Sequence, residues 1–183
     1  MATMTAVETW GRFTRADLDA MPDDGRRYEL LDGAIVVTPS PGTAHQSAVL
    51  RLARLLGDAV PPELKVFVAP LDTALPTGDV LEPDVLVVPL DTITSKDITG
   101  VPALAVEVLS PSSRRRDLGD KLTAYRDAGV PSYWVVDPVG RRVRAWQLQD
   151  GDYVEVADVS EDEVWTSETP YAVTLRPSQV CEG

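Results

Sequence analysis

Hydrophobic positions recur along the chain with two different periods. Between Ala44 and Val60 the apolar residues Val49, Leu52, Ala53, Leu56 and Val60 fall mostly three or four apart, which predicts an amphipathic helix that Pro61-Pro62 ends. A second stripe, Leu118, Leu122, Tyr125 and Ala128, predicts a helix over 118–128, with Asp117 as its N-cap and Gly129 as its stop. A short helix over 14–20 is predicted from its cap, Thr14, and ends near Pro22. Extended segments over 27–31 and 34–38 are joined by Asp32-Gly33, a hairpin turn pair. Strands are then expected at 64–69, 71–75, 83–88, 103–109 and 132–137, punctuated by Pro76, Gly78, Pro83, Pro89 and Gly100. A second hairpin runs through residues 142–149 and 153–159 around Asp150-Gly151, and from Ser160 onward the pattern is too weak to predict an element.

This order predicts an α/β (α+β) chain with a mixed sheet and flanking helices. Strands 103–109 and 132–137 flank a helix, as in a crossover unit with both strands near the sheet centre. The segment ALAVEVL is apolar on both faces, as a buried central strand should be. The length, 183 residues, suits one domain spanning 1–183, with a core over about 26–150 and an acidic extension over 151–183.

Composition changes this picture little. Hydrophobic residues make up 44% and charged residues 25%, an ordinary globular balance. No apolar run is long enough to span a bilayer, and the N-terminal stretch has no signal-peptide pattern. Cys181 is the only cysteine, so an intrachain disulfide is excluded and a reducing, cytoplasmic setting is expected. The net charge of −12 argues against indiscriminate binding to nucleic acid. Local basic clusters remain at Arg26-Arg27, at Arg114-Arg115-Arg116 and at Arg141-Arg142 with Arg144, whose ordinary role is a solvated loop or strand edge.

Three residues break the local pattern. Glu107 sits inside the apolar strand on the face of Ala105 and Leu109, where a carboxylate needs a cation. Lys121 belongs to the inward stripe of the 118–128 helix; it either wants an anionic partner there or snorkels to water along its stem. Asp84 follows Pro83 where a strand begins, either as a turn carboxylate or as part of a site. Together, two strand carboxylates and a lysine on the next helix make an oxygen-rich site suited to Mg²⁺ or Mn²⁺.

Pro83-Asp84 and Glu107 resemble the PD-(D/E)XK nuclease superfamily. More closely, RYELLDG, His45 at a helix start, EPDVLVV, PALAVEVLSPSS and DKLTAYRDAGVPSYWVVDP are similar to the Uma-two family of restriction-endonuclease-like proteins, over Tyr28 to Leu175. Leu109 stands where the superfamily pattern has its lysine, and the resemblance relocates that role to Lys121. It implies a restriction-endonuclease-like fold and a metal-dependent endonuclease, with DNA as the expected partner. Asp84, Glu107 and the main-chain carbonyl of Val108 would hold the metal, and Lys121 would orient water and stabilise charge.

Glu29 matches the glutamate of the family's YEL segment and shares a strand face with Leu31; it is either a third acid of the site or a hairpin surface charge. His45, the only histidine, is either structural or a contact to phosphate or metal-bound water. Ser110, Arg114, Arg115 and Arg116 follow the Glu107 strand and are candidate substrate contacts. Pairing into a homodimer is also expected. One rival is a non-catalytic binding or scaffold protein of the same fold. The other, a serine ester hydrolase, fits poorly because no G-x-S-x-G elbow surrounds a serine.

Overall fold

The computed structural model describes residues 12–181, so the N-terminal stretch up to residue 11 lies outside the described residues. Helix α1 (Arg15–Asp19) opens on Thr14 with a reciprocal capping box to Asp17. Strands β1 (Arg27–Leu31) and β2 (Ala34–Thr38) form the expected hairpin. Its turn places Asp32 and Gly33 at φ 48° and 74°, the left-handed pair that a tight two-residue turn requires. Helix α2 (Thr43–Ala59) follows and buries Ala48, Val49, Leu52 and Leu56. Leu52 and Leu56 are completely enclosed, each worth about 1.5–3 kcal/mol of apolar burial.

Strands β3 (Leu64–Val68), β6 (Val85–Pro89), β8 (Leu104–Val108) and β9 (Ser132–Asp137) match expected strands to within two residues at either end. The expected strand over 71–75 shrinks to β4 (Thr73–Ala74). A tight turn replaces its end: the N–H of Gly78 bonds the Leu75 carbonyl and the N–H of Leu75 bonds the Asp79 carbonyl. Two short strands, β5 (Val80–Leu81) and β7 (Ile98–Thr99), complete a five-stranded sheet in the order β2-β1-β5-β4-β7.

The expected helix over 118–128 is α4 (Asp120–Asp127), and a separate short helix that was not expected, α3 (Arg114–Asp117), precedes it. Asp117 is therefore not the cap of α4. It ends α3, the chain breaks at Gly119, and the Asp117 carboxyl is buried. The end of α4 is as expected. Gly129 takes φ 81°, its N–H bonds the Arg126 carbonyl, and the N–H of Val130 bonds that of Tyr125.

Strands β10 (Arg142–Gln149) and β11 (Asp152–Ser160) form the second hairpin. The main sheet then runs β11-β10-β9-β8-β6-β3, with β8 and β9 as its one parallel pair, bridged by α3 and α4. The segment beyond Ser160 forms β12 (Trp165–Ser167), β13 (Val173–Leu175) and α5 (Pro177–Cys181), which sequence patterning did not reveal. The core extends into this segment: Val173, Leu175, Val180 and Cys181 join α2 on one face of the main sheet.

On the opposite face, Ala105, Leu109, Tyr133 and Val135 meet Tyr125 and Ala124 of α4 and Leu31 of β1. Alternation along β8 turns Glu107 to this second face, between α4 and the hairpin sheet. Among the described residues no helix is long and apolar enough to cross a membrane.

Candidate active site

Four separate pieces of chain deliver ionisable side chains to the end of β8. Glu107 comes from β8 itself, 3% exposed. Asp84 precedes β6, one step beyond the Val85–Val106 pair of the antiparallel β6–β8 ladder, and accepts the main-chain N–H of Val108 on Oδ2 at 2.8 Å. Lys121 reaches in from α4, and its Nζ lies 2.7 Å from Glu29 Oε1 and 2.8 Å from Glu107 Oε1. Glu29 arrives from β1 on the face it shares with Leu31 and also accepts the N–H of Glu82 at 2.9 Å. Both are buried arrangements, with Lys121 2% exposed and Glu29 1% exposed, so neither is a border lysine nor a hairpin surface charge.

Four further groups join the site to which the sequence pattern gives another role or none. Arg27 bonds Asp84 Oδ1 at 3.1 Å and Glu82 Oε2 at 3.0 Å, and it also donates to the Glu82 carbonyl. The signal was available, since residues 27, 29 and 31 share a face of β1. The Tyr125 hydroxyl, one turn beyond Lys121 on α4, donates to Glu107 Oε1 at 3.0 Å. Asp117, which the pattern predicts as a cap, is 1% exposed and its Oδ2 is buried without a hydrogen-bond partner. Glu82, also buried, completes a set of five acids at this end of the sheet: Glu29, Glu82, Asp84, Glu107 and Asp117.

His45, in the first turn of α2, places Nε2 3.1 Å from Asp84 Oδ2, and its Nδ1 is buried without a partner. Arg116 donates to Thr38 Oγ1 at 3.3 Å, and the Thr38 hydroxyl reaches Glu29 Oε2 at 3.4 Å. Arg114 is tied to Asp137 at 2.6 Å, Arg115 is exposed, and the Ser110 hydroxyl turns back to Ser112 and Ser113. Glu29, His45, Asp84, Glu107 and Lys121 are thus brought together with the Val108 amide. Arg116 stands at the margin, and Ser110, Arg114 and Arg115 lie outside the bonded cluster.

Electrostatics divide the acids. Burial works against the charge on Glu29, but Lys121, the Glu82 amide and Arg27 outweigh it and hold its pKa below the ordinary range. Burial likewise opposes Asp84, and His45, Arg27 and the Val108 amide overcome it, again leaving a lowered pKa. Glu107 goes the other way. Burial pushes it well up, Lys121 pulls back, and Asp117, Asp84 and Glu29 push further. Burial also raises Asp117, against the pull of Lys121. Burial favours the neutral form of Lys121, yet Glu107, Glu29 and Asp117 raise its pKa, so it is held as an ammonium.

A cavity of about 200 Å³ opens onto Asp84, with Arg27, Thr38, Ser40, His45 and Gln46 on its walls. A larger cleft of about 1000 Å³ lies between the hairpin and α4, and none of the five acids lines it.

A crystal structure described as that of a "putative nuclease belonging to DUF820" from Anabaena variabilis superposes with a TM-score of 0.75 at 17% identity. The match covers 92% of this chain and 97% of that one, and at this identity it is a likeness of fold. No curated protein is matched by the sequence. Residues 15–177 match the Uma2 family, described as "Putative restriction endonuclease". With nearly its whole length matched, the chain belongs to the Uma2 family.

Proposed function

We propose that this chain is a Mg²⁺- or Mn²⁺-dependent phosphodiester hydrolase acting on nucleic acid, with DNA as its substrate. The observation that carries the reading is that Asp84, just before β6, accepts the amide of Val108, next to Glu107 on β8, with Lys121 bonded to Glu107. Family membership and the fold shared with a protein described as a nuclease support the reaction class.

The donor set fits a hard divalent cation. Five buried carboxyls share this end of the sheet, while Lys121 and Arg27 are the cations bonded to them. Such an acidic excess is costly unless protons or a metal offset it. A carboxylate offers about four lone-pair positions, and Asp84 uses three, on Arg27, His45 and the Val108 amide. Among the described residues no three His, Cys, Asp or Glu side chains are grouped so as to hold an ion by themselves. In this reading Asp84 and Glu107 are the ligand pair, with the Val108 carbonyl as a further oxygen donor.

When bound, the ion would lower the pKa of a water and offset charge on a phosphoryl oxygen. The protein's own groups do the rest. Arg27, His45 and the Val108 amide fix the orientation of Asp84. Glu29 and Tyr125 fix Lys121 and Glu107 against one another. The Lys121 ammonium opposes negative charge that grows on the phosphoryl group in the transition state. The cavity at Asp84 gives a phosphodiester its way in from solvent.

One observation favours a second reading, a binding protein without turnover. Every bonded member of the cluster already has a partner within the chain, and Arg27 occupies Asp84 directly. Incubation with single- and double-stranded DNA and RNA, in Mn²⁺ and in chelator, separates the two. The hydrolase reading expects metal-dependent cleavage; Mn²⁺ binding without cleavage of any of these polymers supports the binding protein instead.

A further inference from the structure

Asp117 departs furthest from its sequence expectation. A residue suited to capping α4 instead ends α3, and its carboxyl turns inward, 1% exposed. Its place is fixed from two sides. The Tyr133 hydroxyl of β9 donates to its main-chain carbonyl at 2.8 Å. At Gly119, just beyond it, an added Cβ would lie 3.0 Å from the Arg115 carbonyl, so the break between the helices suits glycine. Asp117 Oδ2 is nonetheless buried with no hydrogen-bond partner. Native proteins rarely leave such an oxygen unmet, and one that is left marks a water, an ion or a catalytic role.

The neighbouring acids are committed elsewhere. Asp84 accepts from Arg27, His45 and the Val108 amide. Glu29 accepts from Lys121 and the Glu82 amide, and Glu107 from Lys121 and Tyr125. Lys121, donating to two carboxylates, has no lone pair for a proton. Asp117 lies four residues before Lys121, across the break at Gly119, and its charge acts on Glu107 more strongly than that of Asp84 or Glu29.

We propose that Asp117 is the proton acceptor of the hydrolysis: its Oδ2 takes the hydrogen bond of the attacking water and then that water's proton. The inference rests on the hydrolase reading. In the step, the water oxygen bonds to phosphorus and one of its O–H bonds breaks, with the proton passing to Asp117. The bond from phosphorus to the leaving nucleoside oxygen breaks, that oxygen gains a proton from solvent, and Asp117 returns its own to solvent. Burial raises the proton affinity of Asp117, the direction that suits a general base. The groups that interact electrostatically with it are Lys121 of α4, Arg116 of α3, Ser113 just before α3, Glu107 of β8, Tyr133 of β9 and Asp84.

The test compares wild type with Asp117→Asn in Mn²⁺ calorimetry and in cleavage of DNA and RNA across a range of pH. The expected result is a kcat loss of about 100-fold, KM and Mn²⁺ affinity within about twofold, and loss of the acid limb of the pH profile. Equal cleavage by Asp117→Asn overturns the inference and leaves the hydrolase reading intact; so does a parallel loss of Mn²⁺ affinity, which would make Asp117 a ligand. A wild type that binds Mn²⁺ but cleaves nothing, or binds none, overturns both. Should Asp117→Asn not fold, Ser113→Ala removes the neighbouring hydroxyl that lowers the pKa of Asp117. Its acid limb is expected to move to higher pH with Mn²⁺ affinity kept, and an unmoved limb overturns the inference.

Discussion

Lys121 and Glu107, fourteen positions apart on a helix and a strand, meet in a 2.8 Å ion pair with each side chain only 3% exposed. Glu29 joins from a third element at 2.7 Å, so one ammonium serves two carboxylates. Burial alone would favour the neutral forms; Lys121 and Glu29 hold each other charged, while Glu107, bonded to the same ammonium, keeps a raised affinity for its proton.

Replacing Lys121 by methionine keeps the stem's volume and strands both acids. Without metal the variant is expected to lose about 3–5 kcal/mol of stability, measured by denaturant unfolding. Mn²⁺ should restore part of that loss by giving Glu107 a cation again. An unchanged unfolding midpoint without metal would mean that the pair contributes nothing to the fold.

Much of this site was legible in the sequence because its residues break rules of burial. Glu107 interrupts an apolar strand and Lys121 an apolar helical stripe, and alternation correctly turned Glu29 and Glu107 to the face of their apolar neighbours. Less legible were residues that obey local rules while serving a distant partner. Asp117 has the chemistry of a cap, and a propensity argument cannot see that the helix breaks at Gly119. Arg27 sits in an ordinary basic pair, and its partners, Glu82 and Asp84, are more than fifty residues away. The last strands and α5 escaped notice because they are short, and their burial against α2 is set by tertiary contact rather than by period.

Glu107→Gln should behave oppositely to Lys121→Met in the absence of metal. The folded state holds the Glu107 proton more tightly than the unfolded chain, whose ordinary pKa is 4.5. Below that pH both states are protonated and the residue costs nothing. Above it the unfolded chain releases the proton while the folded one retains it, so stability falls as pH rises. The variant is thus expected to match wild type in acid and exceed it near neutrality, with Lys121 still paired to Glu29. Urea unfolding across pH checks this, and a variant less stable than wild type at neutral pH would contradict it.

The three arginines after β8 should not act alike on nucleic acid. Arg114 is already neutralised by Asp137 at 2.6 Å, whereas Arg115 is exposed and Arg116 stands beside the site. Arg115→Gln and Arg116→Gln are each expected to reduce the log–log salt dependence of binding by about 0.7–0.9, and Arg114→Gln by less. Equal slopes for all three variants and wild type would assign the cluster to solvent.

The most direct measurement of the central claim is Mn²⁺ calorimetry on wild type, Asp84→Asn and Glu107→Gln, each checked for an intact fold. If Asp84 and Glu107 hold the ion, wild type binds Mn²⁺, with affinity rising with pH as Glu107 gives up its proton, and both variants lose that binding. Binding that persists unchanged in both variants would contradict the account.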